Sequence, residues 1–274
     1  MNDFEKNYYE SERFWEGDMV QDEANRKRIE LTAKYIKNDV NSLADIGCGN
    51  GVFLHFVAKF FPSLDLLGID RSATALKFVK AKKMEAGIDK IPLADKSVDC
   101  VSCLEVIEHL PVGVYECGLD EIARISKKYI IISVPYKEVL EHSHNKCPNC
   151  TSIFNYELHL RSFDEKAITK LLQTRGFKCT DFCTTGTGVA YRGHREYRKI
   201  FYPEQLQKWN SPICPICGYN DAGFKPASKL KIDNLPVIEK AGARKLISYL
   251  SFLPKLLWPK VSKDYWIIAH YERI

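Results

Sequence analysis

A chain of 274 residues, 45% hydrophobic and 27% charged, has the make-up of a soluble globular protein with room for one domain plus a sizeable insertion, or for two small domains. Such a chain buries a substantial core and needs no disulfides to fold, so its ten cysteines are free for other chemistry. The net charge of +5 is modest but uneven: residues 192–264 carry 14 Lys and Arg against 6 Asp and Glu. That excess suits a solvated basic surface, an anionic acceptor or a peripheral place at a membrane surface. Met1–Glu12 is polar and acidic, without the apolar run of a secretory signal. Leu246–Trp258, broken by Pro254 and Lys255, is too short to span a bilayer. A reducing cytoplasmic setting is therefore expected, and there clustered cysteines suggest metal before disulfide.

Along the chain, Tyr8–Trp15 is an aromatic arm expected to pack onto the domain. Asp22–Ile36 reads as a helix with Ile29, Ala33 and Ile36 on one face. Ser42–Ile46 is a short strand that runs into glycines, Val52–Phe60 a helix, and Leu64–Ile69 a second strand ending at Asp70. A helix is expected over Ala73–Lys83, a strand over Val98–Leu104 and a helix over Leu119–Ser126. The β-branched run Tyr129–Val134 suits a strand buried on both faces. Asp164–Arg175 reads as a helix closed by Gly176, Phe177–Thr184 as a strand, and Tyr265–Tyr271 as the last strand. This alternation predicts an α/β fold, a mostly parallel sheet with helices on both faces. Seven prolines between Gly186 and Lys263 break the rhythm. The expected division is therefore an N-terminal arm and helix (1–38), a core (39–185) with a loop at 137–161, an insertion (186–263) and a final core strand (264–274).

Asp45-Ile-Gly47-Cys-Gly49-Asn-Gly51 sits between a strand and a helix, where glycine lets the chain turn sharply and a ligand approach the backbone. The spacing is GxGxG and not the GxGxxG of a pyrophosphate site. Asp45, before the first glycine, repels a phosphate and suits an ammonium group. Asp70, at the end of the next strand, suits the two hydroxyls of a ribose.

ADIGCGNG, then GID, then IPLADKSVDCVSCLEVIEHLP resembles the successive motifs of class I S-adenosylmethionine-dependent methyltransferases over roughly residues 40–185. The resemblance implies a doubly wound, seven-stranded Rossmann-like sheet with an inserted zinc-binding lid. It places Asp45, Gly47 and Gly49 along the methionine part of the cofactor and Asp70 at its ribose, with Cys48, Arg71, Ile88 and Leu104 also at the cofactor. Members of the family often carry an Asp near position 87; this chain has Gly87, which leaves adenine recognition to the Ile88 backbone or to Asp89.

Glu105-Val-Ile-Glu108-His109 follows the fourth strand. If Glu105 opens a helix, Glu108 and His109 share its face, and Glu105, Glu108 and His109 are the candidate catalytic residues. Three readings follow: general-base chemistry on a substrate hydroxyl by His109 or Glu108, a hard divalent ion that acidifies that hydroxyl, or residues that only shape the pocket. The metal reading resembles 2′-O-methyltransferases of small RNAs, which place further histidines downstream, and O-methyltransferases of ubiquinone biosynthesis. Here His159 is the nearest downstream candidate. The general-base and pocket-shaping readings are preferred.

Cys147-Pro-Asn-Cys150 and Cys214-Pro-Ile-Cys217-Gly218 are a matched pair. Each turn aims two sulfurs at one ion, and two turns complete a four-cysteine zinc site with no open position, hence a structural one. The pairs are far apart in sequence. They fall in connections that leave two parallel strands, 129–134 and 177–184, from the same sheet edge, so one zinc could join both segments of a lid. His142 and His144 are alternative ligands. Cys100 and Cys103 are expected inside a strand, and Cys48, Cys117, Cys179 and Cys183 as small apolar residues. The expected function is methyl transfer to an O or N nucleophile of a small-molecule or glycan- or lipid-linked acceptor, with an anionic or membrane-surface acceptor among the options. The alternative is an RNA methyltransferase or a zinc-containing nucleic-acid-binding protein.

Overall fold

The computed structural model describes residues 9–10, 12–15, 22–191, 214, 216–217, 219 and 260–274. The basic stretch 192–264 thus lies, apart from a few positions, outside the described residues, as does most of the expected insertion. In chain order the elements that matter are α1 (Glu12–Trp15), α2 (Glu23–Ala33), β1 (Ser42–Ile46), α3 (Val52–Phe60), β2 (Asp65–Asp70), α4 (Ala73–Leu76), β3 (Lys82–Glu85) and β4 (Val98–Leu104). They continue with α5 (Val114–Ile125), β5 (Ser126–Pro135), β6 (His144–Lys146), β7 (Ile153–Asn155), α6 (Glu165–Lys170), β8 (Phe177–Thr185), β9 (Gly188–Tyr191), β10 (Lys260–Lys263) and β11 (Trp266–Arg273). The chain divides into two compact units. One comprises Met1–Leu140, His159–Thr187 and Asp264–Ile274; the other comprises Glu141–Leu158 and Gly188–Lys263.

The first unit is built on a seven-stranded sheet in the order β3-β2-β1-β4-β5-β11-β8. β1 pairs in parallel with β2 and β4, and β11 lies antiparallel between β5 and β8. Two apolar layers cover its faces. Val101, Ile130, Ile132, Ile267 and Ala269 point to one, with Leu119 and Ile122 of α5. Their neighbours Cys100, Ile131 and Ile268 point to the other, with Ile29 of α2 and Leu54 and Val57 of α3. The switch of face at every residue is the strand period, and it explains why β4 and β5 read as unbroken apolar runs. Cys100 and Cys103 are buried inside β4, whereas Cys117 is exposed on α5.

The helix starts follow their caps. Asp22 accepts the Ala24 N–H (3.2 Å) ahead of α2, and Asp164 accepts the Ala167 N–H (2.7 Å) ahead of α6. The expected helix over 164–175 is α6 followed by a 3-10 turn at Gln173–Arg175, which Gly176 ends at φ 77°. The expected helix over Ala73–Lys83 is corrected more sharply: it stops at Leu76, and the chain turns into the edge strand β3, with Leu67 through Asp70 facing Lys82 through Glu85. Lys83 Nζ donates to Leu76 O (2.8 Å), satisfying a carbonyl at the helix end, and the strand keeps its polar side chains because it lies at the sheet edge. α5 begins at Val114, one turn before the expected Leu119.

Because β5 and β8 both oppose β11, they run parallel, and the connections that hold the second unit leave the sheet from one edge. The second unit contains two antiparallel strand pairs among its described residues, the hairpin of β6 with β7 and the pairing of β9 with the sequence-distant β10.

Gly68 of β2 sits under the glycine loop: a Cβ built there would lie 2.8 Å from Cys48 Sγ and 2.9 Å from Leu54 Cδ1. Gly68→Ala is therefore expected to destabilise the domain by about 1–3 kcal/mol through overpacking. Urea unfolding at unchanged m-value checks this; an unshifted midpoint would show that the loop yields freely.

Candidate active site and cysteine cluster

β1 ends in a loop whose glycines are held by sterics. Gly47 and Gly49 take φ of 70° and 53°. A Cβ at Gly47 would lie 2.4 Å from Val106 Cγ2, and one at Gly49 2.6 Å from the Trp15 ring. The Gly47 and Cys48 N–H groups donate to Ile69 O (2.7 and 3.1 Å), fastening the loop to β2. Asp70, the last residue of β2, accepts the Gly49 N–H on one oxygen and the Ser72 N–H on the other, each at 2.8 Å. Burial raises the Asp70 pKa, and the two N–H groups work against that rise.

A cavity of about 410 Å³ opens beside the loop, with Gly47, Asp70, Arg71, Ile88, Glu105 and His109 in its wall. That volume is typical of a small-molecule or cofactor pocket. Asp45, Cys48, Gly49 and Leu104, also expected at the cofactor, are not among the described lining residues. Asp45 turns inward, accepting the Ser102 hydroxyl at 2.7 Å, and burial pushes its pKa up to about 7. Asp89 lines the cavity and folds back over Gly87, where a Cβ would lie 2.6 Å from Asp89 Oδ1. Its carboxylate thus occupies the place that a side chain at position 87 would take. The sequence reading did not bring Tyr9, Glu10, Trp15 or Glu85 to this cavity, and all four line it; the aromatic arm was the available signal.

The segment after β4 is a turn, not the expected helix. Glu105 takes φ 57°, which ends helical geometry at its first residue. Its carboxylate is held by the Ser133 hydroxyl (2.7 Å) and the Trp266 indole N–H (2.8 Å), with the Arg28 guanidinium at 3.5 Å. Glu105 therefore does not share a face with Glu108 and His109.

Glu108 is fully buried, and neither carboxylate oxygen has a hydrogen-bond partner among the described residues. Burial, then the Glu105 charge, holds its pKa well above the usual carboxylate range. His109 Nε2 lies 4.0 Å from Glu108 Oε1. The segment 159–161 docks on this turn. Leu160 N–H donates to Glu108 O (2.8 Å), and Arg161 donates to Ile107 O (2.9 Å) and to Leu110 O while its guanidinium covers the Tyr115 ring. The His159 ring meets His109 edge-on at 4.7 Å and places Nδ1 2.5 Å from Glu138 Oε2. Glu108, His109 and His159 thus converge, with one ligand-type atom each inside a 4.8 Å group, and Glu105 does not belong to it.

In the second unit, Cys147, Cys150, Cys214 and Cys217 bring their sulfurs within 4.8 Å of one another. The Cys147–Cys217 and Cys150–Cys214 distances are 3.7 Å. Four sulfurs bound at about 2.3 Å on a tetrahedron stand about 3.8 Å apart, so the set fits a zinc ion. Backbone N–H groups of Asn149 and Cys150 point at Cys147 Sγ, and that of Ile216 at Cys214 Sγ, each at 3.4 Å. Such donors favour thiolate; the Ser152 hydroxyl and N–H bring Cys150 down to about 6, whereas burial pushes Cys214 up to about 12. Thr151 takes φ 61°, in the left-handed region that favours glycine. The His142 side chain lies outside the described set.

The strand order, the glycine loop after β1 and the acid ending β2 together define the nucleotide-binding α/β class with a reversed last strand pair. A family model described as a methyltransferase domain matches residues 17–181. The chain belongs to this family of S-adenosylmethionine-dependent methyltransferases. Over 149 residues it is 31% identical to an uncharacterized protein of Methanocaldococcus jannaschii, a match covering 52% of this chain and 62% of that one. Over 91 residues it is 34% identical to a tRNA U34 carboxymethyltransferase of Campylobacter curvus, covering 30% of each. The chain thus spans less than two thirds of either relative. The fold is similar to that of a SAM-dependent methyltransferase from Archaeoglobus fulgidus, at a TM-score of 0.53 and 16% identity over 97% of this chain and 99% of that one.

The Asp45 shift has a sign. Its pKa is higher in the folded chain than in the unfolded one, so its contribution is fully present below the ordinary aspartate pKa and is lost as pH rises through about 7. Relative to Asp45→Asn, wild-type unfolding free energy should fall between about pH 4.5 and 7, by at most about 1.4 kcal/mol per pH unit. Parallel profiles in urea titrations would show that Asp45 ionises normally.

Proposed function

We propose that the protein transfers the methyl group of S-adenosylmethionine to an oxygen or nitrogen nucleophile of a small-molecule or glycan- or lipid-linked acceptor. The observation that carries this reading is one cavity whose wall holds both Gly47 with Asp70 and the turn with Glu105 and His109. The residues present fit the cofactor. The loop leaves no room for side chains, and Asp70 is anchored by two N–H groups with lone pairs left for ribose hydroxyls. In this reading the Ile88 backbone or Asp89, both in the cavity wall, accepts the adenine amino group. Arg71 lines the wall, while Asp45, Cys48, Gly49 and Leu104 act through the loop and strand ends they shape.

The cofactor supplies an electrophilic methyl group, and its displacement needs alignment and exclusion of water more than acid–base power. In this reading His109 accepts the proton of the acceptor nucleophile. Glu108, buried 4.0 Å from its Nε2, helps to fix the position of the ring. Glu105 is a positioning residue, fixing the turn through Ser133 and Trp266.

The four cysteines are proposed to hold one structural zinc, joining the two chain excursions that make up the second unit; as thiolates they suit a reducing cytoplasm. No described helix is long and apolar enough to cross a membrane. A second reading, an RNA acceptor, is favoured by the partial similarity to the tRNA-modifying enzyme and by the basic stretch 192–264. Salt-dependent retention on RNA at physiological ionic strength would select it.

His109→Ala should lower turnover, read on acceptors in cell extract, by a hundredfold or more while leaving the S-adenosylmethionine Kd within about twofold. Loss of cofactor binding in the same proportion would give His109 a structural role. Metal analysis should find about one zinc per chain, lost in Cys214→Ser without loss of cofactor affinity. Protein purified without chelator and free of zinc would contradict the metal assignment.

A further inference from the structure

We infer that Tyr9, Glu10 and Trp15 form an aromatic and acidic wall of the cofactor pocket, which selects the positively charged sulfonium of the cofactor over its neutral thioether product. The inference rests on the cavity being the S-adenosylmethionine site. All three residues line the cavity that holds Gly47 and Asp70. They precede residue 17, where the family match begins, so nothing in the shared domain assigns them a role.

The arm is fastened to both segments that shape the cofactor side. Trp15 is buried with its ring on Gly49, and its carbonyl accepts from Asn50 Nδ2 at 2.9 Å. The Tyr9 carbonyl receives two donors, the Trp15 indole N–H (2.6 Å) and the Ser72 hydroxyl (2.8 Å). The Thr74 N–H donates to Glu10 Oε2 at 3.1 Å, and Lys77 pairs with Glu12 at 2.7 Å. The Thr74 side chain, helped by the Ser72 side chain and the Thr74 N–H, lowers the Glu10 pKa. Glycine loop and post-Asp70 segment thus share one clasp.

The chemistry of the wall is that of a cation receptor. The Tyr9 and Trp15 rings stand 6.1 Å apart, centre to centre, and aromatic faces attract onium groups through their quadrupole. Glu10, Asp70, Glu85, Asp89 and Glu105 all line the cavity, against Arg71 as the only Lys or Arg among the described lining residues. Arg71 itself lies over the Tyr9 ring at 5.2 Å. S-adenosylmethionine carries sulfonium, ammonium and carboxylate groups, a net positive charge. Once the methyl leaves with the acceptor, the sulfur is neutral and so is the product. A wall of carboxylates and aromatic faces distinguishes these two states; one that only filled space would not.

The test is calorimetric titration of the whole chain with S-adenosylmethionine and, separately, with S-adenosylhomocysteine, for the wild type, Trp15→Ala, Tyr9→Leu and Glu10→Gln. The variants should weaken S-adenosylmethionine binding by about three- to thirtyfold and change S-adenosylhomocysteine binding by less than about twofold. Equal weakening of both ligands would overturn the inference, as would unchanged binding of both. Glu10→Gln guards against misfolding, because the amide keeps an oxygen for the Thr74 N–H while removing the charge. A wild type that binds neither ligand would instead refute the cofactor reading, and the inference with it.

Discussion

One hydrogen bond, from the Gly49 N–H to the Asp70 carboxylate, joins the two strand ends from which the site grows, and a second, from the Ser72 N–H, fixes the same carboxylate locally. β1 delivers a loop that must turn within a few residues, and β2 delivers the acid. The loop can approach the acid because Gly47 and Gly49 adopt positive φ with side chains of Val106 and Trp15 in the space a Cβ would need. Asp70 is buried, so leaving its charge without donors would carry a large desolvation cost. The Gly49 and Ser72 amides answer that cost and fix the orientation of the carboxylate in the same step. A ligand meeting this wall finds an acceptor already aimed, beside backbone that it can approach closely.

The other half of the cavity depends on a different constraint. Glu105 in the left-handed region turns the chain away from a helix, and the Ser133, Trp266 and Arg28 contacts hold it there. These partners come from β5, β11 and α2, elements distant in sequence, so the turn exists only once the sheet is assembled. The turn places His109 in the cavity wall and sends Glu108 into the interior, where burial raises its pKa. Segment 159–161 then locks the turn through main-chain and guanidinium bonds. A strained turn supported from three sides holds reactive groups more firmly than a mobile loop, as displacement at a sulfonium requires.

The order of the main sheet was largely legible in the sequence because its central strands are buried on both faces: β1, α3 and β4 lie where the apolar runs predict them. β3 was not legible. Its Lys-Lys-Met-Glu pattern lacks a strand period, and pairing with β2 decides its conformation. The glycine loop and Asp70 were readable from spacing, but the inward turn of Asp45 toward Ser102 was not, since that bond joins neighbouring strands far apart in the chain. The geometry of Glu105 was hidden for the same reason. The two Cys-x-x-Cys pairs were visible as a matched set, and their sulfurs converge within the second unit. The arm is visible as aromatic and packs onto the domain as expected, but its place at the cavity is not legible, because nothing in local sequence says which surface an arm covers.

The central claim is that this cavity binds S-adenosylmethionine and delivers its methyl group to an acceptor. The most direct measurement is incubation of cell extract with the protein and cofactor carrying a deuterated methyl group, followed by mass spectrometry of the small-molecule, glycan, lipid and RNA fractions. The account predicts a deuterated methyl on a component of one fraction, in proportion to added protein, and its disappearance when Asp70→Ala replaces the wild type. Label that appears equally with Asp70→Ala, or in no fraction from an extract whose acceptors have not been methylated beforehand, would contradict it.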